Sequence, residues 1–162
     1  MAVEIERKFL VLGDGWRAGV ERSVWMEQGY LGGDRASVRI RIADAQAFLN
    51  IKSRQAGTTR LEFEYPLPLE DARVMLAELC RPGRICKRRH YLHHGGLLWE
   101  VDEFGGENLG LVVAEVELPE AEHPLVRPDW LGREVTGDIR YYNDALARHP
   151  FRDWAAEEKE GG

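Results

Sequence analysis

The chain has 162 residues, 44% hydrophobic and 31% charged, which is the range of one globular domain with enough length for a core. Its net charge of −6 argues against a general nucleic-acid or membrane-surface binder, since both need an outward basic face. Cys80 and Cys86 form no CxxC pair, the histidines lack zinc-finger spacing, and no apolar run reaches the roughly 18 residues of a membrane span. The N-terminus is acidic where a signal peptide is apolar, so the expected setting is a reducing cytoplasm with free thiols.

Alternation with period two dominates the chain from its start. It runs through Val3–Phe9 (V-E-I-E-R-K-F), then, after a helical turn near Trp16, through Val24–Leu31, which ends at the turn Gly32-Gly33-Asp34. It continues in Val38–Ile42 (V-R-I-R-I), Phe48–Lys52 (F-L-N-I-K) and Arg60–Tyr65 (R-L-E-F-E-Y). A helix over Leu69–Cys80 follows Pro66 and Pro68, sets Ala72, Met75, Leu76 and Leu79 on one side, and stops before Pro82-Gly83. Strands return at Cys86–Leu92 (C-K-R-R-H-Y-L), Leu98–Glu103 (L-W-E-V-D-E) and Val113–Leu118 (V-A-E-V-E-L). A second helix is expected over Asp138–Arg148, closed by Pro150, and a shorter one over Phe151–Glu158. Residues 1–155 read as one domain and 156–162 as a disordered tail. About eight strands separated by turn residues predict a mainly β (α+β) fold, a sandwich or a barrel.

Successive side chains of a strand face opposite ways, so each segment has two faces. One face is apolar. The other collects eight acids (Glu4, Glu6, Glu62, Glu64, Glu100, Asp102, Glu115, Glu117) and seven bases (Lys8, Arg39, Arg41, Lys52, Arg60, Lys87, Arg89). Any single strand of this kind fits a sheet with one solvated face. The set fits it less well, because nearly every polar position is ionisable and like charges recur at i, i+2, where they repel. A ligand that supplies countercharge removes the conflict. A polyanion with its divalent cations suits it: Arg and Lys grip phosphate oxygens, and carboxylates hold Mg²⁺ or Mn²⁺. The expected architecture is then a barrel with charges in its lumen and apolar faces outside, covered by helices and loops. Short strands, helical segments and the missing signal sequence argue against an outer-membrane barrel.

These residues resemble the CYTH domain, or triphosphate tunnel metalloenzyme, superfamily. The resemblance rests on ExExK at Glu4-Ile5-Glu6-Arg7-Lys8, followed in order by RxR (Arg39, Arg41), Lys52, ExE (Glu62, Glu64), KxR (Lys87, Arg89), ExD (Glu100, Asp102) and ExE (Glu115, Glu117). The stretch Val135–Asn143 is similar to the closing segment of small bacterial members, so the likeness spans roughly Val3 to Leu146. It implies a single eight-stranded antiparallel tunnel and a divalent-metal-dependent hydrolase of inorganic triphosphate or another compact triphosphate. Catalytic residues would be Glu4, Glu6, Lys8, Lys52 and Lys87. Phosphate would be bound by Lys8, Arg39, Arg41, Lys52, Lys87, Arg89 and Arg140, the last at the tunnel's end. Metal ligands would come from Glu4, Glu6, Glu62, Glu64, Asp102, Glu115 and Glu117. One ion would sit mainly on Glu4, Glu6 and Glu117 and a second on carboxylates such as Glu62, Glu64 and Glu115, with Glu100 and Asp102 also fit to stand behind the ligands.

The same set leaves open an adenylate cyclase of the class IV type, a thiamine or nucleoside triphosphatase, and a non-catalytic polyphosphate-binding module. The expected partner is a small-molecule triphosphate, with no nucleic acid and no membrane, and a homodimer is left open. His90, His93 and His94 read as a solvated turn rather than a zinc site. Trp25 and Trp99 read as packing anchors of the barrel wall. No P-loop is present.

Overall fold

A computed structural model describes residues 2–54 and 59–159. Nine strands alternate with short helices: β1 (Ala2–Val11), β2 (Arg22–Leu31), β3 (Ala36–Ala43), β4 (Gln46–Ser53), β5 (Thr59–Leu67), α1 (Leu69–Glu78), β6 (Ile85–His94), β7 (Leu97–Phe104), β8 (Val112–Glu117), β9 (Leu131–Glu134), α2 (Asn143–Arg148) and α3 (Ala156–Lys159). The sheet runs β5-β4-β3-β2-β6-β7-β8-β1, and a further β5–β1 pairing closes it into the expected eight-stranded barrel, antiparallel at every seam.

The seam between β1 and β5 is short. Ala2–Ile5 pair with Thr59–Glu62, after which β5 leaves. The ninth strand takes over that edge, with Phe9 opposite Glu134 and Val11 opposite Leu131. Between the two, the Lys8 carbonyl accepts from the Val135 N–H and the Lys8 N–H donates to Thr136 Oγ1. The closing edge of β1 is thus paired first by β5 and then by β9. Alternation did not reveal β9, because Leu-Gly-Arg-Glu is too short to show a period.

The barrel is covered outside and stoppered at one end. α1 lies on β3 and β4 through Ala72, Leu76 and partly buried Met75, a face set by helical spacing. Trp16, in a single helical turn over Gly15–Gly19, packs with Phe9, Trp99, Val101 and Val116 on the opposite wall. Trp99 is fully buried there, whereas Trp25 is among the exposed hydrophobics, under Arg88 on the outer surface. His93 and His94 adjoin the Gly95-Gly96 turn as expected, but His90 does not belong with them. His90 is buried in the outer wall, bonded to Ser23 Oγ (2.7 Å) and Glu103 (3.1 Å), while His93 meets Glu21 on the surface.

At one end the inward side chains turn apolar. Leu10, Val113, Phe104, Ile85 and Tyr30 pack against Tyr141, Leu146, Ala147, Phe151 and Trp154 of the C-terminal segment. The expected helix Asp138–Arg148 is split into a turn over Ile139–Tyr141 and α2, with extended Tyr142 between. The break lets Tyr141 and Leu146 both enter the stopper. Gly83 is needed beside it: its φ is +92° and a Cβ would collide with the Ala147 carbonyl. Ala156–Lys159 form a last helical turn, and Glu160–Gly162 of the expected tail lie outside the described residues.

Candidate functional site: a charged lumen closed at one end

Cross-strand register carries the inward face around the barrel. Lys8 stands opposite Glu115, which stands opposite Glu100 and then Tyr91. Glu6 faces Glu117, Arg89 faces Asp102, Arg39 faces Asn50, Lys52 faces Glu62, and Glu4 faces Arg60. The enclosed cavity measures about 580 Å³, and its lining includes every base of the polar face and every acid except Asp102.

The half of the lumen nearest the stopper is internally neutralised. Asp102 is fully buried and takes both Lys87 Nζ (2.7 Å) and the Arg89 guanidinium (2.7 and 2.8 Å). Glu115 lies 3.3 Å from Lys8 Nζ and 3.9 Å from Arg89. Burial alone would raise both acids, but these cations overcome it, holding Asp102 below and Glu115 well below the usual carboxylate range. Lys87 is pushed down to about 7, chiefly by burial, with Arg89 and Arg41 adding repulsion that Asp102 only partly offsets. Lys8 goes the other way: burial opposes its charge, yet Glu115 and Glu6 hold it above the ordinary lysine value.

One step further from the stopper the acids are less well compensated: Glu100 shares Arg89 Nη1 with the inner network (2.7 Å), and Glu117 has no basic partner within 4 Å among the described residues. Glu6 is pushed up to about 8 by burial, with repulsion from Glu115 adding. Glu100 and Glu117 are raised by burial and then by neighbouring charges: Glu115 repels Glu100 although Arg89 draws it down, and Glu6 repels Glu117. Lys52 sits between Glu4 (3.1 Å) and Glu62 (3.3 Å), and Arg60 lies 3.6 Å from Glu6. On the facing wall, Arg39 and Arg41 have no carboxylate partner among the described residues, and buried Arg39 Nε makes no hydrogen bond. The lumen therefore holds unpaired cations and under-compensated carboxylates together. Neither is stable alone in a low-dielectric space.

No three acid or imidazole groups converge into a ready-made metal cage among the described residues. The donor set still fits a hard dication: Glu4, Glu6 and Glu117, with Glu62 and Glu64 beyond, offer only oxygen, and their raised members lack countercharge. A Mg²⁺-like ion that keeps waters and takes ligand oxygens needs no complete protein cage.

Two expected residues are not brought to the cavity. Asp102 stands behind it as the counterion of Lys87 and Arg89, so its oxygens are already committed. Arg140 lies outside, bonded to Asp138 (2.7 Å), near Glu158 (3.8 Å), and stacked over Tyr141 and Trp154. Its place in a 3₁₀ turn, not in a helix end, aims it away from the lumen. Conversely, Tyr30, Asn50, Tyr91, Tyr142, Asn143, Asp144, Arg54 and Arg148 line the cavity without having been singled out. Tyr30 and Asn50 share inward parity with Arg39, a signal present in the sequence. Those on α2 gave no local signal.

Comparison with known proteins agrees with this geometry. Residues 2–147 match the CYTH domain. An inorganic triphosphatase of Acetivibrio thermocellus is 43% identical over 155 residues, covering 95% of this chain and 99% of that protein. One of Nitrosomonas europaea is 34% identical, covering 89% and 96%. The crystal structure of the inorganic triphosphatase NE1496 superposes with a TM-score of 0.65 at 34% identity, over 91% of this chain and 95% of that one. With the barrel, the ordered charged motifs and matches that span nearly its whole length, the chain belongs to the CYTH domain family.

Proposed function

We propose that this chain is a divalent-metal-dependent hydrolase of inorganic triphosphate, or of another compact triphosphate. The observation that carries the reading is the meeting, in one lumen, of Arg39 and Arg41 without carboxylate partners among the described residues and of carboxylates raised by burial and by one another's charge. A polyanion with its dication neutralises both sets at once. The names of the two relatives, each matched over most of its length, support the same substrate class. The inward placement of the bases supports a small-molecule partner over a nucleic acid, which needs an outward basic face.

In this reading Lys8, Arg39, Arg41, Lys52, Lys87 and Arg89 bind the phosphate oxygens, with Arg60 at the rim. Glu4, Glu6 and Glu117 would hold one ion of Mg²⁺ or Mn²⁺, and Glu62, Glu64 and Glu115 a second. When bound, such ions neutralise phosphoryl charge and acidify water. Water adds to a terminal phosphorus, the bridging P–O bond breaks, and phosphate and pyrophosphate leave. Phosphoryl transfer depends on positioning and charge stabilisation more than on a strong nucleophile, so no Ser, Cys or His is required in the lumen.

The test is a substrate panel: tripolyphosphate, ATP, thiamine triphosphate and pyrophosphate, each with Mg²⁺ or Mn²⁺, assayed for released phosphate and for cyclic AMP. Fast phosphate release from tripolyphosphate with little from ATP is the expected result. Cyclic AMP from ATP would move the chain to a lyase, and binding without turnover would make it a module.

A further inference from the structure

Beyond exposed Arg22 at its start, one strand of the lumen carries no inward charge. The inward residues of β2 are Val24, Met26, Gln28 and Tyr30, although β2 lies between the basic strands β3 and β6. Gln28 is fully buried there, and its amide is wholly used. Its Nε2 donates to Tyr30 Oη (3.0 Å) and to Asn143 Oδ1 (2.9 Å), and its Oε1 accepts from Arg41 Nε (2.8 Å). Asn143 Oδ1 accepts a second bond, from Lys87 Nζ (2.8 Å).

The direction of this chain is forced. Arg41 can only donate, and so can Lys87 when protonated beside Asp102, so an oxygen of Gln28 faces one and an oxygen of Asn143 the other. The middle link then has one arrangement, the Gln28 amide donating to Asn143. The consequence falls on Lys87. An ammonium has three donors. Asp102 takes one and Asn143 another, which leaves a single N–H whose direction is set by the first two. Lys87 lines the cavity, so that third donor is the one available to a ligand. Asp102 alone would leave the ammonium free to swivel about one bond.

We propose that Gln28 and Asn143 form a positioning relay that aims the last free donor of Lys87, together with Arg41, at the phosphoryl oxygens of the substrate. The relay rests on the triphosphatase reading above. It also gives α2 a part in the chemistry: the segment that stoppers the barrel supplies, with its first residue, the acceptor that orients a lumen lysine. Such an effect belongs to the transition state, where small misplacements are costly, rather than to uniform binding.

The experiment is steady-state kinetics with tripolyphosphate and Mg²⁺ on the full chain. Asn143→Ala should lower kcat by about tenfold or more while KM moves less than about threefold. Asn143→Asp, which keeps an acceptor oxygen for Lys87, should recover kcat to within about threefold of wild type. Gln28→Met, acting from the other end of the relay, should reproduce the kcat loss if the alanine variant fails to fold. In a Lys87→Met background, adding Asn143→Ala should cost much less than it costs wild type, because only the Gln28–Arg41 arm of the relay remains for it to disturb. Wild-type kcat in Asn143→Ala, an equal loss in Asn143→Asp, or losses that multiply in the double variant would overturn the relay. A wild-type protein inactive on every triphosphate would instead sink the functional reading first, and the relay with it.

Discussion

The two halves of the lumen carry similar residues and opposite electrostatics. Toward the stopper, Asp102 and Glu115 are ionised and held by Lys87, Arg89 and Lys8. Two residues along the same strands, Glu100 and Glu117 are raised, as is Glu6 beside Lys8 on β1. The i, i+2 pairs that look alike in sequence are thus split by position. The inner members sit in an ion-pair network with Lys87, Arg89 and Lys8, whereas of the outer members Glu100 shares Arg89 and Glu117 has no basic partner among the described residues. In the proposed reading, the inner half holds the lumen's geometry and the outer half takes up the metal.

The largest effect should come from breaking the inner half. Asp102→Ala leaves Lys87 and Arg89 buried beside each other without their shared counterion, and should destabilise the fold by about 3–5 kcal/mol in urea unfolding. A loss under about 1 kcal/mol would mean the network contributes little. Next is the outer half: Glu6→Ala should fold normally yet lose metal-dependent turnover by about 100-fold or more in the substrate panel. Full activity would remove Glu6 from the metal set.

The comparison sharpens with pH. Glu6 has a folded-state pKa of about 8, above its unfolded value of 4.5, so the folded protein holds its proton more tightly. Its contribution to stability is complete below about 4.5 and is lost as pH rises through about 8. In metal-free protein, the melting temperature of wild type should therefore fall relative to Glu6→Gln between those limits. Parallel curves would show that Glu6 titrates normally. Asp102 and Glu115, being lowered, have the opposite sign: their contribution is present above the ordinary carboxylate range and is lost as the protein is acidified through their lowered folded values. The smallest effect should be Arg140→Ala, whose half-buried ion pairs with Asp138 and Glu158, away from the lumen, are worth about 1 kcal/mol and whose turnover should stay within about twofold of wild type. A larger kinetic loss would return Arg140 to the site.

Alternation by itself determined which residues share the lumen. Side-chain direction in a strand is local, so Arg39, Lys87 and Glu117 could be assigned to one face without knowing their neighbours. The ordered motifs of Glu4 to Glu117 likewise carried the family. Chain closure through β9, the stopper, the outward turn of Arg140 and the contact of Asn143 with Lys87 were decided only by the tertiary structure. So was the different fate of Glu115 and Glu117, each flanked by apolar residues and two residues apart. A charge's face follows from its own backbone; its partner, its burial and so its protonation follow from residues distant in the chain that the fold brings to it.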